Sequence, residues 1–374
     1  MKILFISRAY PPTIGGIEKQ NYEIARSLAG ICQLDIIANR RGKRALPLFL
    51  PFALIKAGVS LGKYDAVLLG DGVLAVLGFL LKLVSRKPVV CIVHGLDLTF
   101  RNSLYQILWI RVFMHRVDKL IAVGNETIHQ GKLLGIPESR FTHIPNGVSI
   151  PDPVPGYTRQ DLEAFIGRKL NGSILLTLGR LVKRKGVAWF INEVVNRLGE
   201  DIHYIVAGDG REKSLIINAI KKNGLEDRVF YAGTVSEQEK ALLFCTADIF
   251  VQPNIRITGD IEGFGLVVLE AASYGVVVVA ANLEGLKDAI QHGRNGFLVN
   301  QRDAEDYTNR IKSLLQDPEG RARFGLQARE YVTKHYAWSS IAQQYLDTLS
   351  TLSPERPIRV YPSPGKHEPG QDGR

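Results

Sequence analysis

Ile249-Phe250-Val251-Gln252-Pro253-Asn254-Ile255-Arg256-Ile257-Thr258-Gly259-Asp260-Ile261-Glu262-Gly263-Phe264-Gly265-Leu266-Val267-Val268-Leu269-Glu270 changes character twice within 22 residues. The short apolar run to Gln252 reads as a strand, and Pro253 ends it. A polar loop follows, and near Gly265 it gives way to a helix whose first turn leaves backbone N–H groups free. A few residues on, Val276-Val277-Val278-Val279 shows no polar alternation, which predicts a central strand buried on both faces. Strand, helix and second strand in this order form a parallel crossover unit covered by helices.

The same alternation extends in both directions. The first half predicts strands at 3–7, 34–38, 66–70, 89–93 and 119–123. The second predicts them at 174–178, 204–207, 229–232, 249–252, 276–280 and 297–299. Between the halves lies Ile150-Pro151-Asp152-Pro153-Val154-Pro155-Gly156, a stiff and extended connector. Helices are predicted over 302–315, 319–335 and 339–349. The expected organisation is a first domain over 1–150, a second over 151–337, a last helix at about 338–352, and a disordered tail over 353–374 rich in Pro, Gly and charge.

At 374 residues the chain suits two domains of roughly 150 residues each. Cys32, Cys91 and Cys245 are isolated, without the spacing of a disulfide framework, zinc site or redox motif, so a reducing cytoplasmic setting is expected. The apolar start Met1 to Ser7 is too brief for a signal peptide. The apolar stretches 46–61 and 73–84 are interrupted by Pro47, Pro51, Lys56 and Lys82 and fall short of the roughly 20 residues a spanning helix needs. No membrane crossing is expected.

Formal net charge is +10, and residues 1–150 hold all of it: 19 Lys and Arg against 9 Asp and Glu, while the remaining 28 and 28 cancel. Part of that excess is Arg40, Arg41, Lys43 and Arg44, just ahead of the apolar stretch. Such a cluster can hold a protein on an anionic membrane surface, or be a solvated loop before a core helix. No basic stretch is interleaved with aromatics or carried by a nucleic-acid-binding module, so nucleic acid is not an expected partner.

Ligands of open α/β sheets bind beyond the carboxyl ends of the strands. After the first strand come Gly15 and Gly16, opening a helix whose end can approach a phosphate; by itself such a pair is more often just a turn, and it matches neither the dinucleotide fingerprint nor a P-loop. After the strand 174–178 comes Gly179-Arg180-Leu181-Val182-Lys183-Arg184-Lys185-Gly186, where cations can neutralise a diphosphate. The strongest element is the opening stretch. Glu262 stands before the helix and Glu270 in its second turn, so two carboxylates flank one anion-binding helix end. They suit the hydroxyls of a nucleotide sugar, whose phosphates suit the N–H groups between. Glu262 could instead be a helix-start acid favoured by the dipole, whereas Glu270, among apolar neighbours, would be costly without a partner. His94, after the strand 89–93, is expected to face the cleft.

Taken with Pro145-Asn146-Gly147-Val148, Gly208-Asp209-Gly210 and Asn295-Gly296-Phe297-Leu298-Val299, these motifs resemble glycosyltransferase family 4 from the Gly15-Gly16 loop to about residue 350. The resemblance implies a GT-B fold, two Rossmann-like domains facing across a cleft with the C-terminal helix crossing back to the first. It implies a retaining, metal-independent hexosyltransferase with no cofactor, using a UDP or GDP sugar as co-substrate and a glycan or lipid-linked acceptor in envelope polysaccharide or glycolipid synthesis. Carried over, Glu262 contacts the donor sugar, and Gly263, Phe264, Gly265 and Leu266 offer backbone around sugar and diphosphate. Glu270 holds the ribose, Arg180 and Lys185 stabilise the departing diphosphate, Gly15 and Gly16 approach it from the first domain, His94 lies beside the transferred sugar, and Val235 meets the base. The loop 254–261 is longer than the usual pattern, and Val277-Val278 replaces a pair that usually ends in proline. Another GT-B enzyme, an epimerase or inverting transferase, fits the acidic pair less well. A non-catalytic nucleotide-sugar-binding subunit would be expected to lack some of Arg180, Lys185, Glu262 and His94, and a dehydrogenase to carry the glycine fingerprint.

Overall fold

A computed structural model of the protein describes residues 1–13, 15–100 and 102–353. Apart from Ser353, the expected disordered tail lies outside the described residues. Two parallel six-stranded sheets form the scaffold, in the orders β2-β1-β3-β4-β5-β6 and β12-β11-β10-β7-β8-β9. The first comprises β1 (Lys2–Ser7), β2 (Gln33–Ala38), β3 (Ala66–Leu69), β4 (Val89–Val93), β5 (Lys119–Ala122) and β6 (Phe141–His143). The second comprises β7 (Ser173–Leu178), β8 (Ile202–Ala207), β9 (Val229–Gly233), β10 (Ile249–Gln252), β11 (Val277–Ala281) and β12 (Phe297–Val299). Residues 149–158 between them are neither helix nor strand.

The absence of polar alternation has its cause in two-sided burial. In β1, Ile3 and Phe5 enter one apolar cluster while Leu4 and Ile6 enter another on the opposite face. β11 is fully buried between β10 and β12, as its unbroken valine run requires. On one face of the first sheet, α1 (Gly16–Ala29) contributes Ile24 and Leu28 and the final helix, Trp338–Leu352, contributes Ile341, Tyr345 and Leu349 to the same cluster. The chain therefore crosses back onto the first half. On the other face lie α2 (Leu46–Ser60) and α3 (Ala75–Val84), with Phe49, Ala53, Ala57, Leu77 and Leu81 buried.

Two features differ from the sequence reading. β6 was not foreseen: it is three residues long, one of them a histidine, and is held mainly by its pairing to β5. The prolines also do not interrupt the stretch 46–61. Pro47 sits in the first turn, where its missing N–H has no helical acceptor to lose, and Pro51 forfeits a single bond inside α2. Helix therefore continues over Lys43–Lys63, 21 residues, and by length and composition this segment could cross a membrane.

The halves meet where strand ends face one another. Asp288, in the second half, accepts from the Asn125 backbone N–H at 2.9 Å and from Asn125 Nδ2 at 2.8 Å. Beside this contact, a Cβ on Gly124 would stand 3.4 Å from the Gly263 carbonyl oxygen.

Candidate functional site

The loops that leave β7 and β8 at their carboxyl ends are tied together. Leu181 donates to the Asp209 carbonyl at 2.9 Å, and Glu212 donates to the Leu181 carbonyl at 3.0 Å. Gly208, at φ +124°, allows this closeness, since a Cβ there would stand 1.9 Å from the Gly179 carbonyl oxygen. Between the loops opens a cleft of about 410 Å³ whose wall includes Arg180, Lys183, Arg211 and Asp260. Arg180 is exposed on that wall.

Lys185, expected at the diphosphate, pairs with a carboxylate in this structure. Its Nζ donates to Glu262 Oε2 at 2.5 Å; Arg184 donates to the same oxygen, and Asn254 Nδ2 donates to it at 3.0 Å. Arg184 Nε reaches on to Asp260 at 3.0 Å. The physical reason is burial: the Lys185 and Glu262 side chains are 9% and 10% exposed, and neither could keep its charge there without a counterion. Burial pushes the Glu262 carboxyl upward, but Lys185 and Arg184 outweigh it and hold the group below its ordinary value. Burial lowers Lys185, and Glu262 offsets part of that. The glutamate's backbone is fixed too, its N–H donating to Glu284 at 2.8 Å and its carbonyl accepting from Gly285 at 3.1 Å.

The next residues lead into the helix Leu266–Ser273. Gly263 and Leu266 are exposed, Phe264 is buried, and Gly265 at the cap takes φ +72°. A Cβ on Gly265 would stand 2.6 Å from Leu286 Cδ2, so the turn accepts no larger residue without movement. Glu270 occupies the second turn, partly exposed, with Lys240 at 3.7 Å. Lys240 also pairs with Glu237, and Lys19, one turn into α1, acts electrostatically on Glu237. The helix opened by Gly15 and Gly16 thus faces the Glu270 corner across the cleft. A Cβ on Gly16 would meet nothing within 4 Å. Val235 follows β9 on the same side, half-buried against the second half's core.

His94 precedes α4 (Gly95–Thr99) at the end of β4. Asp97 fixes this turn, its Oδ2 accepting from the His94 backbone N–H at 2.9 Å and from Gly72 at 3.1 Å. Burial lowers the imidazole's pKa, partly countered by Asp71 and by the Gly70 carbonyl that the ring contacts. Nε2 is buried without a hydrogen-bond partner among the described residues. Arg8 donates to Asp71 at 2.8 Å; even so, burial and Asp97 push the Asp71 carboxyl up to about 6. Arg8 and Asp97 stand beside the Gly15-Gly16 loop and His94 in sequence and Asp71 stands apart, and their partnership was not anticipated because only the parallel order of β1, β3 and β4 collects them. Arg184, Asn254 and Asp260 lay in the quoted motifs without an assigned role. No group of three or more His, Cys, Asp or Glu able to hold a metal occurs among the described residues.

Comparison with known proteins agrees with this architecture. The family described as glycosyltransferase family 4 matches residues 14–150, and that described as glycosyl transferases group 1 matches 158–331. Similar proteins include the GDP-mannose-dependent alpha-(1-6)-phosphatidylinositol monomannoside mannosyltransferase of Mycobacterium tuberculosis, 24% identical over 93% of this chain and 98% of that one. Another is N-acetyl-alpha-D-glucosaminyl L-malate synthase of Bacillus anthracis, 27% identical over 70% of this chain and 67% of that one. Among solved structures, Anabaena HepE in complex with UDP superposes with a TM-score of 0.72 at 21% identity, covering 94% of this chain and 100% of that one. The chain belongs to the family 4 glycosyltransferases and has the GT-B fold.

Proposed function

We propose that the protein is a retaining, metal-independent glycosyltransferase without a cofactor, moving a sugar from a UDP- or GDP-linked donor to a lipid-linked or glycan acceptor. The Glu262 centre carries the reading: a carboxylate held ionised and immobile by Lys185, Arg184 and Asn254, directly ahead of a helix N-terminus. A fixed carboxylate accepts from sugar hydroxyls, and the free N–H groups of the helix end donate to phosphate. In this reading Glu270 accepts from the ribose, Val235 meets the base, and Arg180 stabilises the negative charge that develops on the leaving diphosphate. Lys185 acts by positioning Glu262 and by adding positive potential. His94 Nε2 accepts from the transferred sugar or the incoming hydroxyl. The bond from C1 to the diphosphate breaks as the acceptor oxygen bonds C1 on the same face, and the acceptor's proton passes to the diphosphate.

The acceptor side of the proposal rests on the charge asymmetry. It places the enzyme peripherally at the cytoplasmic face of a membrane, reached through Arg40, Arg41, Lys43 and Arg44. Thermal stabilisation by a panel of nucleoside diphosphates and their sugars tests the donor site, since a ligand at about 100 times its Kd adds roughly 2.7 kcal/mol. A folded protein that none of the UDP, GDP or ADP compounds stabilises would contradict the proposal.

A further inference from the structure

Almost every residue of α2 is apolar, on both sides of the helix. One side, Phe49, Ala53 and Ala57, is buried in the first half's core. The other carries Leu48, Phe52, Ile55 and Val59, spaced by four, three and four residues, and these are 79%, 55%, 67% and 86% exposed. A helix apolar all round is ordinarily covered all round, so this outward stripe lacks half its cover.

What borders the stripe indicates what covers it. Residues 36–64 contain six cations and no acid. Arg40, Arg41, Lys43 and Arg44 are exposed, and none forms a salt bridge among the described residues. The loop presenting them is built, since Asn39 Nδ2 donates to the Arg8 and Gly42 carbonyls at 3.1 and 2.9 Å and Asn39 Oδ1 accepts from Arg41 at 3.0 Å. Arg40 also lies over the Tyr10 ring, 5.8 Å from its centroid, so the basic loop adjoins the β1–α1 loop at the cleft.

We propose that α2 is an in-plane membrane anchor, its outward stripe entering the acyl region of an anionic bilayer while the loop before it binds lipid phosphates. The inference rests on, and deepens, the reading of a lipid-linked acceptor, because it sets the membrane beside the first half's wall of the cleft. Two other arrangements fit less well. A second copy would bring two basic loops together without a carboxylate between them. A spanning helix would have to pull Phe49, Ala53 and Ala57 out of the core, although the 21 residues of Lys43–Lys63 are long enough to cross.

Flotation of the full chain with vesicles tests it. Wild type should float with vesicles containing phosphatidylglycerol and stay behind with pure phosphatidylcholine. The variant Leu48→Ser, Phe52→Ser, Ile55→Ser, Val59→Ser alters only exposed positions and should lose partitioning by about a hundredfold or more. Replacing Arg40, Arg41, Lys43 and Arg44 with serine should cost about fivefold for each cation at low salt. Absence of wild-type flotation, or a stripe variant that floats as wild type does, overturns the proposal. So does wild type that resists alkaline carbonate extraction, which would mean a spanning helix, or a lipid-free dimer that the stripe variant abolishes. Donor-induced thermal shifts on the same proteins separate the two readings: flotation without a donor shift sinks the transferase reading alone, and a donor shift without flotation sinks the anchor alone.

Discussion

Glu262→Gln preserves shape and removes one charge, and it should be the most damaging conservative change in the second half. Lys185 and Arg184, each about as buried as Glu262 itself, would stand together with only Asp260 near Arg184. Losing one partner of a buried pair costs about 3–5 kcal/mol, mostly for the charge left behind. The converse change, Lys185→Met, leaves Glu262 with Arg184 and Asn254 and should cost about 1–2 kcal/mol. For a domain of this size the two correspond to losses of roughly 6–20 °C and 2–8 °C in Tm. Urea unfolding of both singles and the double should return a coupling of at least about 1.5 kcal/mol. The acid side adds a signature. Glu262 is held below its ordinary value, so its stabilisation is complete above the unfolded carboxyl near 4.5 and is lost as pH falls through the lower folded value. The gap between wild type and Glu262→Gln should therefore close on acidification. If Glu262→Gln costs no more than Lys185→Met, or the gap is independent of pH, Glu262 is not the centre of this network.

Arg180→Ala removes an exposed side chain, so stability should hold within about 0.5 kcal/mol while donor affinity, read by calorimetry, falls on the order of tenfold or more; unchanged affinity would remove Arg180 from the site. Gly265→Ala imposes a Cβ at φ +72° and 2.6 Å from Leu286, and should cost about 2 kcal/mol in urea unfolding; a neutral result would mean the turn relaxes freely. His94 is lowered by burial, so between its folded value and 6.5 only the unfolded chain takes the proton, and stability falls as pH drops through that window. Wild type should thus lose ground to His94→Phe as pH falls below the unfolded value of about 6.5 in thermal melts, and parallel curves would show that the ring titrates as in the unfolded chain.

The parallel strands and the alternation of helices were legible because each is local. Two-sided burial makes the interior of β1, and all of β4 and β11, read as unbroken apolar runs, and Gly265 before Leu266 marks a helix start. The motif positions of Glu262, Glu270, Arg180 and His94 were legible for the same reason. Partnership was not. Lys185 and Glu262 are 77 residues apart in the chain, and only the adjacency of β7 and β10 brings them together. Desolvation then forces them to pair, so the lysine read from sequence as a cation for phosphate is also the brace of a carboxylate. Likewise composition showed that α2 is apolar, but which side meets the core and which is left bare depends on how the helix rolls onto the first sheet. Local propensity and period set the elements; the charges a fold can bury, and the apolar faces it leaves uncovered, are decided by what the elements meet.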